Sequence, residues 1–184
     1  MRVHLIRHGE TVTSGKTYAG RRDVALSERG REQAKEIARD LSGCPIGLIL
    51  TSPLSRAKET ARPLANALSL DPVEEPALME IDFGRYEGRP KRDLGLKLRE
   101  THAFASLPGG ESLFDVWERA GHVLWLLESA GLPGGTQAAV FGHFWINRLL
   151  FGRAGQLDFD KACRSRGYRP STGSVCAFDC RKTG

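Results

Sequence analysis

Three short apolar runs, each stopping abruptly, alternate with segments whose apolar residues recur every three to four positions; no other feature constrains this chain so tightly. Residues 2–6 (Arg-Val-His-Leu-Ile) read as a strand that stops at Gly9, and a polar, glycine-containing loop runs to about Leu26. Ser27 then caps a helix. Glu28 suits its positive end, Ala34, Ile37, Ala38 and Leu41 form its buried stripe, and Gly43 and Pro45 end it. Residues 46–50 make a second strand. Thr51-Ser52-Pro53 predicts a cap with proline at the first helical position, opening a helix with Leu54, Ala57, Ala61, Leu64 and Leu68 turned inward. Pro63 removes one backbone hydrogen bond, which predicts a kink or break near Arg62. Residues 71–110, holding four prolines, read as a long excursion with one short helix around 90–100. Ser112 caps a helix with Leu113, Val116, Trp117, Ala120, Leu124 and Leu127 in a wide apolar stripe, and Gly131-Leu132-Pro133-Gly134-Gly135 terminates it. A third strand at 137–141, a short helix at 144–151 and a last strand at 174–179 follow. Such alternation predicts an α/β fold, a three-layer α/β/α sandwich with a mostly parallel central sheet, in one domain over 1–184 without repeat or linker.

Composition removes several classes of function. No stretch approaches the roughly 20 apolar residues of a membrane-spanning helix, and Met1-Arg2-Val3-His4 is no apolar signal core, so a cytoplasmic protein with no membrane partner is expected. The four cysteines (44, 163, 176 and 180) have neither zinc-site spacing nor the density of a disulfide scaffold; they read as small buried apolar residues, with no metal expected. A net charge of +5, with six basic residues between Arg85 and Arg99, is compatible with nucleic acid but carries no aromatic-rich basic motif of a nucleic-acid module. Such a stretch is usually a solvated surface, and an anionic small substrate explains the bias equally well. The oligomeric state stays open, a homodimer included.

Ligands of open parallel sheets bind beyond the carboxyl ends of the strands. Just after the first strand stands Arg7-His8-Gly9-Glu10-Thr11, after the second Ser52-Pro53-Leu54-Ser55-Arg56, and after the third Gly142-His143. Two histidines and two arginines would therefore meet. Guanidinium groups pair with phosphate oxygens and stay charged at any working pH, and a helix N-terminus adds its own attraction for anions. A neutral imidazole can take up a phosphoryl group and release it, which singles out His8, with Gly9 leaving the backbone room to approach a ligand.

At this point the motifs become specific. Leu5-Ile6-Arg7-His8-Gly9-Glu10-Thr11 resembles the signature of the histidine phosphatase superfamily, which includes cofactor-dependent phosphoglycerate mutases. Four further stretches match in order: Asp23 to Gly30 with Gln33-Ala34, Thr51 to Ala57 with Glu59-Thr60-Ala61, Glu80 to Gly88, and Val140 to Arg148. The resemblance implies His8 as the phosphorylated nucleophile, Arg7, Arg56 and His143 as ligands of the transferred group, and Glu80 as proton donor, without cofactor. It further implies that Ser14, Tyr18 and Arg21 reach the substrate. Three positions depart from the family pattern: Ser14 stands where asparagine is frequent, Tyr86 where tryptophan is, and Phe144, not glycine, follows the second histidine. The remaining histidines, His4, His102 and His122, have no partner set and read as structural.

Mutases of the superfamily are larger than 184 residues and cover the site with insertions, so the expected reaction is hydrolysis of a small phosphate monoester. The loop from Tyr18 to Asp23, the stretch from Glu80 to Gly88 and Pro108-Gly109-Gly110-Glu111-Ser112 are most similar to bacterial alpha-ribazole phosphatases of cobalamin assembly. Phosphoglycerate mutase, a broad-specificity phosphatase and a non-catalytic phospholigand binder remain the alternatives.

Overall fold

Alternate residues of the first strand, β1 (Arg2–Arg7), belong to two different cores: Val3 and Leu5 to one, Ile6 to the other. This is possible only if helices cover both faces. A computed structural model describes residues 1–164 and 171–180 and shows that arrangement. On one face α1 (Glu28–Leu41) and α2 (Ser55–Leu68) pack together, burying Ile37, Leu41, Ala61 and Leu64 against Ile6, Ile49 and Phe141 of the sheet. On the other, α5 (Leu113–Ser129) and α6 (Phe144–Ala154) bury Val116, Ala120, Ile146 and Leu149 against Val3, Leu5, Ala138 and Val140. α7 (Phe159–Arg164) flanks α6, held in part by Arg148 Nε donating to the Cys163 carbonyl at 3.2 Å.

The sheet has the order β3-β2-β4-β1-β5, where β2 is Ile46–Thr51, β3 Val73–Glu74, β4 Gln137–Gly142 and β5 Val175–Asp179. All neighbours are parallel except β5, which runs antiparallel along β1. β2, β4 and β1 are therefore adjacent and end at the same edge. Arg7 pairs with Gly142 and Thr51 with Phe141, which sets His8, Ser52 and His143 side by side just beyond the strands. No described helix is long and apolar enough to cross a membrane.

Several local expectations change. α2 starts at Ser55 rather than at Pro53: Ser52 Oγ accepts from the Leu54 amide at 3.3 Å, before the helix, and the first amide of the helix, that of Ser55, donates to Asp23 Oδ1 at 3.0 Å. Pro63 does not break α2, which runs unbroken to Leu68: the lost hydrogen bond is outweighed by the buried face of Ala57, Ala61, Leu64 and Ala65. The excursion over 71–110 holds β3, 3₁₀ turns at Pro76–Leu78 and Gly84–Tyr86, and two short helices, α3 (Lys91–Leu94) and α4 (Leu98–Thr101), where one was expected. Cys163 and Cys180 are buried, with thiols pushed up to about 11 by desolvation, whereas Cys44 and Cys176 are only partly covered. Gly9 has a different use from the one expected: a Cβ there would lie 2.5 Å from the Gly30 carbonyl, so its hydrogen lets the β1 loop press on the start of α1.

Candidate active site

A cavity of about 360 Å³ opens at the carboxyl edge of β1, β2 and β4, and Arg7, His8, Arg56 and Glu80 are among its lining residues. His8 is nearly buried, and its Nδ1 lies 2.7 Å from the carbonyl of Gly9. A carbonyl can only accept, so Nδ1 carries the proton and Nε2 keeps the lone pair. Burial first, then the charges of Arg56 and Arg7, hold this imidazole well below the ordinary 6.5, so it is neutral at pH 7. A neutral ring with a defined lone-pair nitrogen is what a phosphoryl acceptor needs.

Arg56 projects from the first turn of α2 and is almost wholly buried. Its Nη1 donates to the Arg22 carbonyl at 2.8 Å and its Nη2 to the Gly20 carbonyl at 2.7 Å, which binds the loop before α1 to the site. Its Nε donates to Nδ1 of His143 at 3.2 Å, so the neutral His143 holds its proton on Nε2, 2.8 Å from Ser52 Oγ. Burial, followed by Arg56, lowers the His143 pKa as it does that of His8. The sequence motif placed His143 directly on the phosphoryl group, but the structure sets its ring behind the cavity wall, both nitrogens bonded and its centroid 5.1 Å from that of His8.

Glu80 also lines the cavity. Its Oε1 accepts from the amides of Ile81 and Trp145, and its Oε2 from Phe144, each at 3.0 Å. Two of these amides are the first of α6. The segment carrying Glu80 is clamped from both sides. Arg119 Nη1 holds the carbonyls of Ala77 and Met79, its Nε and Nη2 grip Glu111, and Glu111 Oε2 accepts from the Asp82 amide at 3.0 Å. Gly84, at φ +52°, lets this segment press against Pro108–Gly110, where any side chain would collide.

The three expected substrate residues fare differently. Ser14 lines the cavity, but its Oγ is used within the loop, 2.8 Å from the Thr11 amide and 3.0 Å from Thr11 Oγ1. Tyr18 also lines it, its ring tilted against Phe83 with centroids 4.9 Å apart and its hydroxyl accepting from the Leu96 amide at 3.0 Å; it pins the excursion to the site. Arg21 is not a lining residue, because its guanidinium is held by Glu111 at 2.8 Å and Asp82 at 3.6 Å. Sequence reading missed Thr13, whose buried Oγ1 has no partner, and Lys91, whose ammonium lies 5.8 Å from the Tyr18 ring centroid at the cavity rim. Burial, then Arg7, lowers the Lys91 pKa. Among the described residues no three His, Cys, Asp or Glu side chains are grouped to hold a metal ion.

Taken together, a parallel sheet ending in a neutral histidine, two guanidiniums, that of Arg56 buried, and a carboxylate defines a class of phosphate-handling α/β proteins. The match to the family "Histidine phosphatase superfamily (branch 1)" extends over residues 3–184, and the chain belongs to that superfamily. It is 35% identical over 129 residues to phosphoserine phosphatase 1 of Hydrogenobacter thermophilus, a match taking in 65% of this chain and 60% of that protein. The chain thus spans less than two thirds of that relative's length. Among solved structures, the alpha-ribazole phosphatase of Shigella flexneri superposes with a TM-score of 0.84 at 28% identity, covering 97% of this chain and 90% of that one. The mycobacterial glucosyl-3-phosphoglycerate phosphatase superposes at 0.81, with 28% identity, 96% of this chain and 88% of that one covered.

Proposed function

We propose that this protein is a phosphomonoesterase, one histidine phosphatase domain over 1–184, that works without a metal and passes the phosphoryl group through His8. The observation that carries the reading is the fixed tautomer of His8: Nδ1–H is held by Gly9, so the lone pair of Nε2 is the ring's nucleophile, beside Arg7, Arg56 and Glu80. Nε2 attacks phosphorus, the bond to the ester oxygen breaks, and Glu80 gives its proton to the departing alkoxide. Water then attacks the phosphohistidine, Glu80 takes its proton, and the P–N bond breaks to leave orthophosphate and neutral His8. Arg7 and Arg56 meet the charge on the equatorial oxygens. His143 supports both Arg56, through its Nε, and the ring of His8.

Alpha-ribazole 5′-phosphate is the physiological ester this reading favours, supported by the likeness to the Shigella enzyme. The test is hydrolysis of nitrophenyl phosphate and alpha-ribazole phosphate in chelator, with rapid quenching after mixing with a radiolabelled ester. Label on His8, absent from His8→Asn, is expected. Turnover that stops in chelator, or continues with no label on His8, overturns the mechanism; isomerisation of 3-phosphoglycerate faster than its hydrolysis makes the protein a mutase.

A further inference from the structure

Phe144 lines the cavity between the acid and one of the phosphate-binding arginines. Its amide donates to Glu80, the proposed donor to the leaving oxygen, and its ring centroid lies 5.3 Å from the guanidinium carbon of Arg7 on the phosphoryl side. Its backbone is tied to Glu80, and its ring packs between Arg7 and Trp145. The first atoms of the alcohol must therefore pass along its ring. Trp145 continues the wall, edge-on to Phe144 with centroids 5.2 Å apart, and Leu98 and Phe83 extend it. Next to the charged floor of the cavity there is thus an apolar, largely aromatic surface. The cavity of about 360 Å³ lies near the lower end of the roughly 300–1,000 Å³ typical of small-molecule pockets, so an alcohol of modest size fills it.

We propose that Phe144, with Trp145, determines specificity for the leaving group, and that the substrate is a phosphate monoester whose alcohol lays a flat apolar group on this wall. Phosphorylated hydroxy or amino acids are disfavoured. Their carboxylate would lose water against the Phe144 ring, which offers it no hydrogen-bond donor. The proposal rests on the phosphate site described above and says which ester enters it.

Phosphonates that cannot be hydrolysed separate the two claims. Calorimetric affinities of methyl-, benzyl- and carboxymethylphosphonate are compared for the wild type, Phe144→Ala and Phe144→Leu, with thermal melts to verify folding. The wild type is expected to bind benzylphosphonate about tenfold more tightly than methylphosphonate, the scale of discrimination an apolar pocket gives. That ratio should fall to about 2 in Phe144→Ala and to an intermediate value in Phe144→Leu. Tighter binding of carboxymethylphosphonate than of benzylphosphonate, a wild-type ratio near one, or a ratio unchanged in both variants overturns the assignment while leaving the phosphatase mechanism intact. Failure of the wild type to bind any of the three overturns the phosphate site itself, and the specificity proposal with it.

Discussion

Two buried neutral imidazoles make stability depend on pH in a way that can be worked out beforehand. His8 and His143 both have pKa values held well below 6.5 in the folded chain, chiefly by burial and then by Arg56. In the unfolded chain they titrate near the ordinary value. Below pH 6.5 the unfolded state therefore binds more protons than the folded one. The stability these groups contribute is fully present above that pH and drains away as pH falls toward the folded-state values. Each neutral histidine contributes a slope of about 1.4 kcal/mol per pH unit, so the pair removes about 2.7 kcal/mol between pH 7.5 and 5.5. Against a typical total of about 5–15 kcal/mol that is a large share. Urea unfolding at a series of pH values measures it, and His8→Asn isolates one group, because the asparagine amide can still reach the Gly9 carbonyl. The variant should lose about half of the pH-dependent change, with titrating carboxylates cancelling in the comparison. Parallel curves for wild type and variant would refute the reasoning, since they would mean that His8 takes up its proton equally in both states.

Three substitutions probe the other groups. Glu80→Gln keeps one acceptor oxygen but turns an amide toward the backbone donors, so it should slow esters of poor leaving alcohols about 100-fold more than nitrophenyl phosphate; equal slowing removes Glu80 as the acid. Arg56→Lys keeps the charge but cannot serve His143, Gly20 and Arg22 from one nitrogen, and kcat/KM should fall about 100-fold, measured against nitrophenyl phosphate. Arg119→Ala frees the carbonyls of Ala77 and Met79 and leaves Glu111 with less countercharge. It should cost about 2 kcal/mol in urea unfolding and lower kcat more than it changes KM; an unaltered kcat would show that Glu80 holds its place without this clamp.

The strands and long helices were legible because their signals are local. Apolar stripes recur along the chain, and Ser27 caps α1 by accepting from Gly30, three residues on. The start of α2 was misread because its cap comes from Asp23, 32 residues away, a partner no window around Ser52 contains. Pro63 was overweighted for the same reason: one lost bond is visible in sequence, and the packing of four buried side chains that outweighs it is not. Lys91 lay hidden among six basic residues of which the pattern cannot say which lines the cavity. That choice is made by contacts across the fold: the Lys91 amide to the Lys16 carbonyl at 2.9 Å, and Leu96 to the Tyr18 hydroxyl. Arg21 was misplaced by the converse. A cation in a substrate loop looks free until Glu111 and Asp82 are seen beside it.

The charges of the site serve two ends at once. Arg7 and Arg56 are drawn beside buried histidines, where their positive potential disfavours imidazolium and so preserves the lone pair of His8. The same potential is what a phosphate dianion enters to neutralise. Once it has entered, the positive potential at His8 is offset, and the penalty against positive charge on the ring falls just as attack on phosphorus begins to place it there. A lysine-lined site could draw the anion as well, but a buried lysine can shed its proton, whereas arginine keeps its charge when desolvated. Guanidinium, by staying charged at 1% exposure in Arg56, lets one arrangement hold the nucleophile neutral before binding and favour its developing charge afterwards.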